Sequence, residues 1–242
     1  MRAKINRHIF EQTRFDSGNL AQMGFVVHQY EKSGRYQVDV YRHDELKTSF
    51  YIDVDSDSRE QQISVDLAKM DAEHQQRGKT NCCCEGEDAK FVLDKDGYAL
   101  FYVGSGSGGY RVISSPLRDR DEGLLFDSTK LNKGDLYGLT LLRPGDYSVK
   151  ELSNKRESRI AVSAVKPCKT KYVPPEALHL DMEKLSAKQT LEMQQAQGIV
   201  FRAQHHDRVV IEFEPPCNEK GPGNDPKGKV ARWTSASARR AQ

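Results

Sequence analysis

The residues best suited to metal chemistry lie in two short clusters. Cys82 and Cys84 belong to a run of three consecutive cysteines, and His205 and His206 directly precede Asp207. Thiolates and imidazoles are common ligands of zinc and copper. Because neighbouring residues on a strand point to opposite faces, each cluster needs a loop or a turn to bring its side chains together. A metal centre built from these two cysteines and two histidines is one hypothesis, and a loop and a turn without metal are the simpler interpretation.

Three alternating aspartates, Asp53, Asp55 and Asp57, resemble the start of a calcium-binding loop. An EF-hand loop also requires Gly at its sixth position and Glu at its twelfth, and this chain has Ser58 and Ser64 there. Because alternate residues of a strand share a face, the three carboxylates could still hold one weakly bound cation. The pattern nevertheless favours a solvated acidic turn.

The glycines Gly104, Gly106 and Gly109 have the spacing G-x-G-x-x-G. A dinucleotide site requires a helix to begin at such a motif, so that its first N–H groups meet phosphate. Residues 110–113 have the pattern of a strand instead, which predicts a loop. The sequence contains no nucleophile elbow, H-E-x-x-H, Walker A or C-x-x-C motif, and no serine has an activating sequence context. We therefore expect a protein that is not an enzyme and uses no cofactor.

The C-terminal residues 215–242 are rich in Pro, Gly, Lys, Ser and Ala, with basic residues around the single tryptophan. Such a composition cannot bury a core, which predicts a flexible tail. Trp233, Arg239 and Arg240 are candidate binding residues for nucleic acid or for an acidic protein surface. The formal net charge of +2 over 242 residues argues against a further nucleic-acid-binding face in the rest of the chain.

The sequence gives no sign of a membrane segment or a signal peptide. Arg2, Lys4 and Arg7 are followed by no apolar h-region, and no stretch approaches the roughly 18 apolar residues of a membrane helix. The 5 cysteines are odd in number, which is a poor basis for a disulfide framework. We expect a cytoplasmic or assembly-associated protein that makes no membrane contact.

Hydrophobic alternation with a period of two predicts that β-strands position these candidate residues. The alternation is clear at Tyr36, Val38 and Val40 and returns at Phe50, Ile52 and Val54. Further short strands are predicted up to residue 165, separated by turn residues at intervals of about 8–12, as in a sandwich or barrel. Residues 176–213 fit either a helix or strands, and we favour strands.

Changes in composition divide the chain into six parts. We predict an N-terminal arm at 1–20, a first β-meander at 21–68, a polar Cys-rich linker at 69–89, a β-sandwich at 90–170, further strands or a short helix at 171–214 and a basic flexible tail at 215–242. The predicted fold class is all-β, with two small antiparallel β-sandwich units of immunoglobulin or prealbumin type and flexible terminal arms.

One short pattern occurs twice, because Gly34–Val38 (GRYQV) recurs as Gly145–Val149 (GDYSV). Each tyrosine supplies a large ring whose hydroxyl can reach backbone at the rim of a sandwich. The second copy, within 139–151, resembles the Leu, Pro-Gly, Tyr, Val, Glu hairpin of Cna-B-type and other prealbumin-like domains. The resemblance implies a sandwich fold. Some Cna-B domains form a Lys–Asn or Lys–Asp isopeptide bond beside an acidic residue; Glu151 matches the hairpin's last residue, but no matching Lys and Asn are identified.

Taken together, the strand-rich sequence and the terminal arms favour a binding or assembly protein. Its partners would be protein subunits or further copies of itself, contacted through exposed sheet edges and arms. A metal-binding protein or metalloenzyme is the first alternative, and contact with nucleic acid through the basic tail is the second. The residues alone do not decide between these three functions.

Overall fold

The computed structural model describes residues 8–77, 90–117, 124–165 and 172–215, which form sixteen β-strands, two α-helices and one short 3-10 helix. The helices are α1 (His8–Glu11), α2 (Leu67–Arg77) and the 3-10 helix Met182–Lys184. The strands are β1 (Arg14–Asp16), β2 (Gly24–Gln29), β3 (Gly34–Arg42), β4 (Glu45–Asp55), β5 (Gln62–Asp66), β6 (Lys90–Asp94), β7 (Tyr98–Tyr102), β8 (Tyr110–Pro116), β9 (Phe126–Asp127), β10 (Leu136–Thr140), β11 (Gly145–Glu151), β12 (Arg156–Ser163), β13 (Leu178–Asp181), β14 (Thr190–Gln194), β15 (Gly198–Arg202) and β16 (Val209–Glu214).

These strands form three sheets. The central sheet has the order β13-β15-β10-β2-β7-β5, the first outer sheet β6-β4-β3-β8-β9 and the second outer sheet β1-β16-β11-β12-β14. The predicted all-β class is therefore confirmed. The expectation of purely antiparallel sheets is wrong, because β4–β6, β5–β7, β12–β14 and β13–β15 are parallel pairs. Each parallel pair needs a crossover between sheets, which a pattern of alternation does not reveal.

The strand pairing of the first half is repeated in the second half. The pairs β2–β7, β3–β4, β4–β6, β5–β7 and β3–β8 recur as β10–β15, β11–β12, β12–β14, β13–β15 and β11–β16. We call β2–β8 the first unit and β10–β16 the second unit. They meet through the antiparallel pair β2–β10, where Val26 lies opposite Tyr137. The neighbouring pairs are Val27 with Leu136 and Phe25 with Gly138, so a pseudo-twofold axis passes through the Val26–Tyr137 pair.

The repeated Gly-x-Tyr-x-Val pattern occupies equivalent places in the two units. Tyr36 is the third residue of β3 and Tyr147 is the third residue of β11, and both rings are buried. Each hydroxyl donates a 2.8 Å hydrogen bond to a carbonyl oxygen four residues earlier, that of Lys32 or that of Arg143. This confirms the prediction that the tyrosine hydroxyls reach backbone.

The two short strands β1 and β9 are exchanged between the units. β1 precedes the first unit but pairs with β16, the last strand of the second unit. β9 precedes the second unit but pairs with β8, the last strand of the first unit. Both strands end in Phe-Asp and are followed by Ser, at Phe15–Ser17 and at Phe126–Ser128. The exchange therefore ties each unit to the other in the same way.

The core lies between the central sheet and the outer sheets. Phe101 of β7 and Phe126 of β9 stack with ring centroids 6.0 Å apart, and the Tyr30 hydroxyl donates a 2.9 Å hydrogen bond to Ser114 of β8. The buried apolar side chains of all three sheets form one continuous cluster. Burial of this alternating set of residues is the main source of stability for the fold.

Two sequence-based assignments differ from the structure. The predicted N-terminal arm at 1–20 contains strand β1, and helix α2, which begins at Leu67, continues to Arg77 inside the predicted linker at 69–89. The preference for strands at 176–213 is confirmed by β13–β16. Among the described residues, no helix is long and apolar enough to cross a membrane.

Candidate functional site

The strand exchange creates two equivalent arginine–aspartate pairs. The Asp16 carboxylate of β1 accepts hydrogen bonds of 2.9 and 2.8 Å from Nε and Nη2 of Arg208. The Asp127 carboxylate of β9 accepts hydrogen bonds from the same two atoms of Arg111. Such bidentate pairs combine charge with fixed geometry. Each pair therefore fastens an exchanged strand to the strand beside it.

The surroundings of these pairs favour the charged forms of Asp127 and Arg208. Burial raises the pKa of Asp127, but hydrogen bonds from Arg111 and Thr129 outweigh it and bring that pKa below its ordinary value. The hydrogen bond to Asp16 is the main cause that raises the pKa of Arg208, while burial and, less strongly, repulsion from Arg111 lower it. Arg111 and Arg208 line the same cavity.

An open groove lies beside the pairs. It consists of two adjoining cavities of about 750 and 520 Å³, which share the lining residues Arg14, Asp16, Asn19, His43 and Gly109. The larger cavity continues to residues 9–12 and to the glycine-rich loop, and the smaller one reaches Arg111, Thr129 and Arg208. We call this combined space the junction groove. Each of the two cavities has a volume within the range of about 300–1,000 Å³ that is typical of ligand-binding clefts.

One side of the junction groove is formed by β1, which is an edge strand of the second outer sheet. The bonds from Ser17 N–H to the Val209 carbonyl (3.0 Å) and from Phe213 N–H to the Thr13 carbonyl (2.7 Å) show which residues face β16. Because bonding direction alternates along an antiparallel strand, the N–H groups of Arg14 and Asp16 point away from β16. The groove therefore lies along an open strand edge.

The opposite side is formed by the β3–β4 turn and the glycine-rich loop 104–109. His43 and Asp44, the two turn residues, have φ values of 51° and 64°. Turns of this kind favour Asn and Gly, because other side chains are strained at positive φ. The His43 ring lies against Gly109, where a Cβ atom would come within 2.8 Å of it. Gly109 is therefore needed for the position of this imidazole.

Arg42 and Tyr110 stabilise the glycine-rich loop. Arg42 donates hydrogen bonds to the Gly108 carbonyl (3.1 Å) and to the Ser107 hydroxyl (2.7 Å). The Tyr110 hydroxyl donates a 2.9 Å hydrogen bond to the buried Asp71 of α2. Burial, followed by this carboxylate, raises the pKa of Tyr110 to about 12. Helix α2 thus supports the loop that borders the groove.

The predicted histidine cluster forms a turn between β15 and β16. Oδ2 of Asp207 accepts hydrogen bonds from the backbone N–H groups of Gln204 (2.9 Å) and His205 (3.2 Å), as an aspartate does in a turn. Nε2 of His205 lies 3.5 Å from Glu183, and no bond from the His206 side chain is seen within the described ranges. In this structure Asp207 therefore stabilises the turn that contains His205 and His206.

The structure does not describe the other predicted site residues. Cys82, Cys84, Trp233, Arg239 and Arg240 lie outside the described residues, so the predictions for them stay predictions. Within the four described ranges, no group of three or more His, Cys, Asp or Glu residues could hold a metal ion.

The three alternating aspartates also have separate contacts. Asp53 binds Arg35 and Lys90, and Asp55 accepts a hydrogen bond from the N–H group of Asp57. Glu151, the last residue of the predicted hairpin, is buried and accepts hydrogen bonds from the next turn, at Ser153 N–H (2.6 Å) and Asn154 N–H (2.8 Å). These carboxylates stabilise turns and ion pairs in this structure.

Sequence reasoning missed the four residues of the arginine–aspartate pairs. The available signal was the repeated Phe-Asp-Ser at Phe15–Ser17 and Phe126–Ser128, each before the first long strand of a unit. No family model matches this chain, and neither a curated protein nor a solved structure matches it. The role of the groove is therefore inferred from its own geometry.

Proposed function

We propose that this chain is a non-enzymatic binding protein that holds an extended segment of a partner protein in the junction groove. The segment would lie along the open edge of β1 and add a strand to the second outer sheet, a common mode of peptide recognition. The observation that carries this proposal is the position of that edge. The outward N–H groups of Arg14 and Asp16 lie on residues that line both cavities.

The opposite edge of the same sheet supports this choice of edge. At β14, the outward N–H group of Gln194 donates a 3.0 Å hydrogen bond to the side chain of Gln197. That edge is thus partly satisfied by the chain itself, a usual way to prevent unwanted pairing. At β1 the outward carbonyls of Arg14 and Asp16 also accept hydrogen bonds, from the Gln12 side chain (3.2 Å) and the Asn19 N–H group (3.1 Å), but the outward N–H groups of these two residues border the groove.

The short length of β1 limits how much of the affinity comes from main-chain bonds. The strand has 3 residues, and the turn after it uses the Asp16 carbonyl, which accepts a hydrogen bond from the Asn19 N–H group (3.1 Å). Only a few main-chain bonds to a partner can form, so side chains must supply much of the binding energy. Arg14, Asn19 and His43 line the groove, and their side chains can supply these contacts to the partner segment.

A pair of substitutions at one position separates main-chain from side-chain contributions. Arg14→Gln removes the charge and keeps the N–H group, whereas Arg14→Pro removes the charge and the N–H group. Because this N–H points away from β16, proline leaves the β1–β16 ladder intact. Linear peptides are selected from a displayed random library against the full chain, and their affinities for both variants are measured.

The proposal predicts that the selected peptides bind the Arg14→Pro variant at least about tenfold more weakly than the Arg14→Gln variant. N-methylation of the peptide nitrogens that face β1 should weaken binding as well, because the methyl groups prevent the close approach of two paired strands. Glu192→Pro, at an outward position of β14, is the matched control and should leave binding unchanged. Equal affinities for both Arg14 variants, or a selection that yields no binding peptide, would refute the proposal.

A further inference from the structure

Three guanidinium groups converge on the smaller cavity of the junction groove. Arg14, Arg111 and Arg208 all line it. Arg14 and Arg208 also approach the same atom, Oδ2 of Asp16, at 3.5 and 2.8 Å. Side-chain exposures of 56%, 33% and 36% leave each of the three arginines accessible from the groove.

The two aspartates beside them have little capacity left to accept hydrogen bonds. Oδ1 of Asp16 already accepts from the N–H group of Gly18 and from Nε of Arg208. Oδ1 of Asp127 accepts from Nε of Arg111 and from Thr129. Each ionised carboxylate offers about four acceptor positions, and most of them are therefore occupied.

The arginines, in contrast, keep unused donors. Arg111 and Arg208 use Nε and Nη2 for their aspartates, and neither Nη1 group donates a hydrogen bond within the part of the chain that is described. The smaller cavity thus contains guanidinium N–H donors that are partly shielded from water. A ligand that complements it must bring acceptors, and a carboxylate is the best match for guanidinium groups.

We propose that this cavity binds a carboxylate of the partner segment. The inference rests on the proposed function and specifies the chemistry of the partner. The carboxylate belongs either to the last residue of the partner chain or to an Asp or Glu side chain; both provide the same two oxygens. Asp44, which also lines the cavity, is exposed and lies near Arg111, so its negative charge opposes binding and limits the affinity.

Three synthetic peptides of one sequence distinguish the two sources. The probes are acetyl-Thr-Val-Thr-Val-Gln-amide, the same peptide with a free C-terminal carboxylate, and acetyl-Thr-Val-Thr-Val-Glu-amide. Each is titrated into the ¹⁵N-labelled full chain up to about 10 mM, which is enough to detect millimolar binding. The Nε–H signals of Arg111 and Arg208 report on the cavity, and the N–H signals of Arg14 and Asp16 report on the strand edge.

At least one carboxylate peptide should bind about tenfold more tightly than the neutral amide and shift the two Nε–H signals. Preference for the free terminus identifies a C-terminal carboxylate, and preference for the Glu peptide identifies a side chain. Arg14→Gln should reduce this preference, and Asp44→Asn should increase it. Lys150→Gln is the matched control, because Lys150 contacts Glu212, the other partner of Arg14, and does not line the groove.

Two results would overturn the inference and are distinguishable from each other. If all three peptides bind equally and Arg14→Pro abolishes binding, strand docking holds and the carboxylate site is wrong. If no peptide shifts any of the four signals, both the carboxylate site and the proposed docking along β1 are wrong.

Discussion

The Asp16 carboxylate and the Arg208 guanidinium lie 192 positions apart in the chain, yet they form two hydrogen bonds of 2.9 and 2.8 Å. The pair joins β1, the first strand, to the residue directly before β16, the last strand. Asp127 and Arg111 repeat the same contact between β9 and β8, only 16 positions apart. Both contacts serve one purpose, which is to fix an exchanged strand.

The equivalence of the two pairs leads to a first prediction. Asp16→Asn and Asp127→Asn should each lower the free energy of unfolding by about 2 kcal/mol, because a charged, bidentate acceptor is replaced by a neutral one in a buried place. Urea unfolding followed by circular dichroism measures this change. Disruption of the exposed Arg35–Asp53 pair by Arg35→Gln is the control and should change the free energy of unfolding much less than either aspartate variant. Unequal effects of the two aspartate variants would contradict the structural equivalence.

The lowered pKa of Asp127 leads to a prediction of how the free energy of unfolding changes with pH. Burial of this carboxyl favours the neutral acid, but the hydrogen bonds from Arg111 and Thr129 dominate, so its pKa lies below the ordinary value. A group with a depressed pKa stabilises the fold above its unfolded-state pKa, and this stabilisation is lost as pH falls through the folded-state value.

The difference in unfolding free energy between wild type and Asp127→Asn should therefore be constant from pH 7 to about 5. It should shrink as the pH falls below about 4, the ordinary range of an aspartate. Unfolding curves at stepped pH values measure it. A difference that grows towards low pH would show that the carboxyl is not stabilised in its charged form.

Tyr110 gives the second stability prediction. Tyr110→Phe leaves the buried Asp71 without its phenolic donor, which should cost about 1–3 kcal/mol and speed hydrogen exchange in α2. Burial and Asp71 raise the pKa of Tyr110 to about 12. Because this pKa is raised, the stabilisation is complete below the unfolded-state value near 10 and is lost as pH rises through about 12. The exposed Tyr98 provides a control, since Tyr98→Phe should change neither stability nor exchange.

The strands were predictable because burial alternates along them. In β4, Phe50, Ile52 and Val54 are buried while the residues between them are more exposed, and the sequence shows this alternation directly. Helix α2 was not predictable in the same way. Its polar sequence buries few side chains, chiefly Leu67 and Asp71, so no long apolar face marks it.

The groove was not predictable because distant parts of the chain form it. β1 has 3 residues, and no local pattern shows that they pair with Val210–Glu212. Strand partners are selected by the packing of the whole sheet, to which local sequence contributes little. The Gly-x-Tyr-x-Val repeat correctly marks equivalent strands, but the exchange of β1 and β9 depends on contacts between the two units.

The turn at His43 and Asp44 gives the last prediction, in which stability and binding change in opposite directions. Both residues have positive φ, and Asn-Gly is the sequence that this two-residue turn favours. His43→Asn combined with Asp44→Gly should therefore raise the free energy of unfolding by about 1 kcal/mol, because backbone strain is relieved. The same variant loses the imidazole that lies against Gly109, and it should bind the selected peptides more weakly than the single variant Asp44→Gly, which lacks the same negative charge and keeps the imidazole. Thermal unfolding and peptide titration of these two variants measure both effects. A stabilised double variant that binds the peptides as tightly as Asp44→Gly would show that His43 makes no contact with the partner.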